Sequence, residues 1–315
     1  HEYFHAWNVC RIKPKEFHPY NLQEEVHTRQ LWAYEGITSY YDDFSLFRSG
    51  LITFEDYLKQ LSKTATRVYR GQGELKQSVT DSSFDTWTKF YQQGPDAVNN
   101  IVSYYTKGSL IALWLDLTIR EKSAGVYSLD TLMRELWIHF GRTNMGTSEE
   151  DFINIANILC NDDITDSFLT LLNNAQRVDL APLLNQVGIA FTPQKFKQIN
   201  SLETTSSDTY SPYIGAQYKG MALGVQITQV IESSPAAEAG LAVNDILVSV
   251  NNIRVSEKSL QQLAEHLPEN TPVTCHYFRD DQLISSQINF IDSPLAAIGI
   301  TEVDSTLSEK WRCKR

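Results

Sequence analysis

No stretch of the sequence approaches the roughly eighteen consecutive apolar residues that a membrane-spanning helix needs, so no such span is encoded. A basic surplus is missing too. The 315 residues carry 27 Lys and Arg against 38 Asp and Glu, a formal charge of −11, which argues against a nucleic-acid partner. Basic groups come only in short, scattered stretches such as Arg11-Ile-Lys13-Pro-Lys15, which read as solvated surface. Cysteine is scarce: Cys10, Cys160, Cys275 and Cys313 lie far apart, form no CxxC pair, and read as reduced thiols of a cytoplasmic protein. The opening residues, HEYFHAWNVC, have neither the basic start nor the apolar centre of a secretory signal. No internal repeat is visible. What remains is an ordinary globular composition, 42% hydrophobic and 21% charged, at a length suited to two domains.

Two textures divide the chain. Up to about residue 190 the apolar spacing is helical: helices are predicted from Thr53 to Val68, Asn99 to Glu121 and Ser128 to Gly141, with Thr147-Ser-Glu-Glu150 as a capping box. Asn200 to Thr209 is polar, aperiodic and rich in small hydroxyl residues, and reads as a linker. Beyond it lie short β-rich runs at 224–230, 246–250, 272–278 and 283–290, with one helix from Ser256 to His266. Asn251-Asn252 and Asp280-Asp281 are hairpin-like turns. The expected fold is therefore multidomain, α and β: a mainly helical part at 1–192, a linker at 193–209, a β-rich domain at 210–295 and a tail at 296–315.

His1-Glu-Tyr-Phe-His5 is an HExxH motif. On a helix, residues four apart share a face, so His1 and His5 can reach one zinc ion, and Glu2 lies between them as a candidate general base. A catalytic zinc needs a third protein ligand and an open position. Glu35 stands thirty residues after His5 in a second helical pattern, among Leu31, Trp32, Tyr34, Ile37 and Tyr40. A carboxylate in that apolar company is poorly placed for water and needs a positive partner. Asp42 and Asp43 read as exposed helix-end acids, with accepting from a ligand imidazole as the alternative. His18 and His27 read as loop or surface histidines.

These blocks together resemble a known family. HEYFHAWN, LWAYEGITSYYDD, SFDTW and SYYTKG are similar to the glycyl aminopeptidases, gluzincin-type zinc peptidases in which a glutamate on a following helix completes an HExxH site. The resemblance implies the helical half of a thermolysin-like peptidase domain, with zinc on His1, His5 and Glu35, Glu2 as base, and Tyr105 donating to the developing oxyanion. It implies aminopeptidase action on peptides with a small first residue such as glycine. An endopeptidase remains the alternative reading, and a non-catalytic peptide-binding module a third. The family's β-rich domain before HExxH has no counterpart in the sequence, so the chain reads as a fragment, itself expected to hold zinc weakly and to be inactive.

The second half carries its own signature. Ser233-Ser-Pro-Ala-Ala-Glu-Ala-Gly-Leu-Ala-Val-Asn-Asp-Ile resembles a bacterial PDZ segment, with Asn244 and Asn252 where glycine is usual. The resemblance implies an exposed sheet edge that pairs with a peptide strand, and a loop, Tyr213-Ile214-Gly215-Ala216, whose amides bind the peptide's terminal carboxylate. A Gly215 that only makes a turn, in a domain that packs as a structural lid, is the competing reading.

Overall fold

Capping chemistry sets the first helices. In the computed structural model, which describes residues 1–312, Thr53 accepts from the Asp56 amide while the Asp56 carboxylate accepts from the Thr53 amide, opening helix Phe54–Tyr69. Cys313 lies outside the described residues. The box expected at Thr147 forms one residue later: Ser148 pairs with Asp151 and starts helix Glu149–Cys160. The helix predicted across 99–121 is two pieces. Ala97–Asn100 ends, residues 101–103 run outside any helix, and Thr106–Lys122 begins after Tyr105. The Val102 amide donates at 3.1 Å to Oε1 of Gln77, outside any helical ladder. The predicted Ser128 helix likewise runs as α from Leu129 to Leu136 and finishes as a π-turn, Trp137–Gly141.

These helices enclose one apolar core around Trp32, Tyr34, Phe44, Leu110, Phe152 and Phe168. A second core fills the β-rich part. There the strands run in the order Gln282–Ile288, Val273–Arg279, Ile246–Val250, Gly224–Val230, Ala216–Met221, which leaves Ala216–Met221 at the edge. The turn residues Asn251, Asn252, Asp280 and Asp281 all have positive φ, as tight hairpin turns of mirror-image type require. Helix Glu257–His266 packs near the edge strand, capped by Ser256.

The segments between and after the two parts differ from the linker and tail expected of them. Ile189–Phe196 is a strand, and it pairs on one side with Thr204–Thr205 and on the other with Ala297–Glu302. Chain beyond the β-rich domain thus returns to the helical half: Ile298, Ile300 and Trp311 are buried in its core, with Trp311 against Phe44, Phe54 and Tyr57. The physical signal was present as an apolar run, Ala296 to Ile300, and a lone Trp, but without helical or hairpin company to identify its partner. No described helix is long and apolar enough to cross a membrane.

Candidate metal and catalytic site

The HExxH segment is wound more tightly than the helix expected of it. Phe4–Ala6 is a single 3-10 turn, and residues 1–3 are not α-helical. The His5 amide still donates to the His1 carbonyl at 3.3 Å, so the two rings share a face, centroids 4.7 Å apart and edge to face. Glu35 comes from a π-turn, Trp32–Gly36, that leads directly into helix Ile37–Arg48. Such turns break the regular ladder and leave carbonyls in need of other donors, and they recur at functional sites. Asn8 supplies the donor. Its buried carboxamide reaches Ala33 O at 3.0 Å, Tyr34 O at 3.3 Å and Thr38 Oγ1 at 3.1 Å. One side chain therefore fastens the HExxH segment to the turn that carries Glu35. Sequence reasoning missed Asn8; nothing in its spacing marks it.

Both imidazoles are oriented from behind. His1 Nδ1 lies 2.8 Å from Asp42 Oδ2, and His5 Nδ1 lies 2.8 Å from the Asn8 carbonyl. A carbonyl can only accept, and the carboxylate is an acceptor too, so each Nδ1 carries a hydrogen, and in the neutral ring that leaves the lone pair on Nε2. Those two Nε2 atoms stand 3.1 and 3.2 Å from the same oxygen, Glu35 Oε2. Two lone pairs and a carboxylate at that range repel unless a cation or a proton sits among them. Donor separations on a tetrahedral zinc, with bonds of about 2.0–2.1 Å, come to roughly 3.3–3.4 Å. The three residues therefore fit the ion, and they are the one such group of His, Cys, Asp and Glu among the described residues. Burial pushes the Glu35 carboxyl above its ordinary value, opposed by His5 when that ring is protonated and by the Tyr105 hydroxyl, and aided by the nearby charge of Glu2.

The tyrosine pair separates cleanly. Tyr104 is buried and bonded to Thr86 Oγ1 at 2.7 Å, whereas Tyr105 is half-buried, with its ring 6.1 Å from that of His1. Tyr105 stacks on Tyr104 and Phe90, and burial together with Glu35 keeps its hydroxyl protonated far above neutral pH. The remaining blocks explain how the tyrosine arrives. Gly36 and Gly108 touch backbone to backbone: a Cβ on Gly36 would fall 2.5 Å from Gly108 Cα. Lys107 beside it is buried, donates to the Gln176 carbonyl at 2.8 Å, and is held down to about 8 by burial. Glu2 is exposed in the turn between the histidines. Asp42, first read as an exposed helix-end acid, is instead partly buried and bonded to His1; Asp43 has no such bond. His18 is exposed, His27 bonds the Phe84 carbonyl at 2.9 Å, and neither joins the cluster.

In the β-rich part, Tyr213 ends a short strand, Ile214 is buried, and Ala216 starts the edge strand. Gly215 between them has φ +70°, and a Cβ there would fall 2.1 Å from Ser234 Cβ, so both conformation and space demand glycine.

Residues 1–111 match the M61 glycyl aminopeptidases, and residues 226–275 match the PDZ domain. Among solved structures the chain is similar to an aminopeptidase N family protein from Idiomarina loihiensis, at 38% identity and a TM-score of 0.94. That similarity covers 99% of this chain and 54% of the other, so the chain spans just over half the length of that protein. A serine endoprotease from Yersinia pestis is similar at 27% identity over 26% of this chain and 29% of its own, with a TM-score of 0.24. Curated proteins give no match. The chain thus carries an M61 glycyl aminopeptidase match in its first 111 residues and a PDZ domain behind them.

Proposed function

We propose that His1, His5 and Glu35 hold a zinc ion and that the protein is a metallopeptidase of aminopeptidase type, removing a small first residue such as glycine from peptides. The observation that carries this reading is the convergence of two imidazole Nε2 atoms on one Glu35 oxygen, each ring fixed through its Nδ1. The match of residues 1–111 to the M61 glycyl aminopeptidases supports the reaction class. Zinc bound there would polarise a scissile carbonyl and make water acidic enough to attack near neutral pH. The chain's own residues do the rest. Glu2, exposed beside the ligands, accepts the proton of the attacking water and returns it to the leaving amine. Tyr105, kept protonated by its surroundings, donates to the oxygen on which charge develops.

Glu2→Gln should retain metal and lose most turnover, because an amide cannot take the proton. Tyr105→Phe should lower kcat by roughly ten- to a thousand-fold with metal content unchanged, as expected for one lost oxyanion donor. The assay compares glycine p-nitroanilide with its acetylated form on zinc-loaded protein. Equal cleavage of the blocked substrate would rule out aminopeptidase specificity, and full activity in Glu2→Gln would rule out Glu2 as the base.

A further inference from the structure

The hairpin between strands Ile189–Phe196 and Thr204–Thr205 does not project into solvent. Its loop is closed by the Lys197 amide donating to the Glu203 carbonyl at 2.8 Å, and its tip enters the PDZ domain. Tyr218, on the edge strand, turns its backbone N–H and C=O outward, the groups that an added peptide strand would pair with. Asn200 takes both. Its Nδ2 donates to the Tyr218 carbonyl at 2.8 Å and its Oδ1 accepts from the Tyr218 amide at 3.0 Å, so one carboxamide reproduces the two bonds of a peptide unit. Ile199 beside it is 5% exposed and belongs to the PDZ core. Across the groove, Gln261 of helix Glu257–His266 accepts from the Ile199 amide at 2.9 Å. Edge strand and helix are thus both engaged by this one loop.

At the end of the groove nearest the Tyr213–Ala216 loop, a cavity of only about 20 Å³ remains, room for about one water, lined by Ile199, Gly215, Ala216 and, from the helical half, Arg70. Burial holds the Arg70 guanidinium down to about 10, and its Nε has no hydrogen-bond partner among the described residues. Its Nη2 donates to Gln229, and the hydrogens left over on this cation at that end of the groove suit a carboxylate.

We propose that Ile199 and Asn200 are a built-in competitor for the PDZ groove, and that a peptide with an apolar last residue and a free terminal carboxylate binds only by displacing them. Because the loop is the tip of a hairpin, it can leave the groove without unpairing Ile189–Phe196 from Ala297–Glu302. This inference is independent of the peptidase chemistry. An intramolecular competitor lowers apparent affinity by the fraction of molecules in which the groove is open.

The test titrates the whole chain with a fluorescent pool of hexapeptides that end in Val, Leu, Ile or Phe with a free carboxylate, alongside the same pool amidated. Asn200→Ala removes two hydrogen bonds, each worth a few-fold to about ten-fold, and should tighten binding of the free-acid pool by about ten-fold or more. Ile199→Ala combined with Asn200→Ala should tighten it further, and the amidated pool should bind neither variant. Asn200→Ala is the arm that leaves the PDZ core intact, with melting curves to confirm that it folds. Equal affinity in parent and folded Asn200→Ala, or no binding to either, would overturn the competitor. Equal binding of the amidated pool would overturn the carboxylate as its ligand group.

Discussion

At the scale of single residues, the proposed zinc site would rest on the atoms behind its ligands as much as on the ligands. A histidine left free to rotate or change tautomer presents its lone pair only part of the time; Asp42 and the Asn8 carbonyl remove that freedom from His1 and His5. Asp42→Ala should therefore weaken zinc binding by roughly ten- to a hundred-fold, read by competition with a chelating dye. Asp43→Ala is the contrast, because no hydrogen bond ties Asp43 to an imidazole, and it should change metal affinity little. His1, His5 and Glu35 were legible from the sequence because a spacing of four and a carboxylate among aromatic residues each carry a physical meaning. Tyr105 is singled out from the sequence only through resemblance, since Tyr104 has the same chemistry and differs in what surrounds it. Asn8 was not legible: its role depends on carbonyls that a π-turn exposes, and periodicity does not encode such a turn.

At the scale of elements, the close contact of Gly36 with Gly108 sets the distance between the turn bearing Glu35 and the helix that follows Tyr105. A methyl at Gly108 would fall 2.9 Å from both Gly36 Cα and the Trp32 carbonyl oxygen, backbone atoms that cannot swing aside. Overpacking of this kind costs about 1–3 kcal/mol. Gly108→Ala should lower the melting temperature by several degrees and weaken zinc binding with it, whereas Gly94→Ala, with nothing within 4 Å, should do neither. The sequence marked both glycines as parts of blocks but not as partners. Helix boundaries tell the same story. The start at Thr53 was readable from its cap, while within the break at 101–105 the Val102 amide donates to Gln77, far away in sequence.

At the scale of the whole molecule, the PDZ domain sits within the chain path of the helical half, because Ala297–Glu302 and Trp311 return to it. Burying Ile298, Ile300 and Trp311 contributes about 1.5–3 kcal/mol for each side chain, together comparable to the total stability of an ordinary domain. Hydrogen bonds add to this: the Ile298 amide donates to Thr66 Oγ1 at 2.9 Å, and its carbonyl accepts from Ser62. Truncation after Pro294 should therefore unfold the helical half at temperatures where the PDZ domain still melts cooperatively, as seen by calorimetry and hydrogen exchange. The change of texture near residue 200 was legible in the sequence; the return of the chain was not, because one strand and one tryptophan have no period by which to name their partner. Against the weak zinc binding expected from sequence alone, Asp42 and the Asn8 carbonyl orient both imidazoles from within the chain, so the proposed zinc site carries its own supports. Elemental analysis after dialysis against micromolar zinc should find one zinc per folded chain, lost in Glu35→Ala; a folded chain that retains none, or a Glu35→Ala variant that retains as much, would contradict the site.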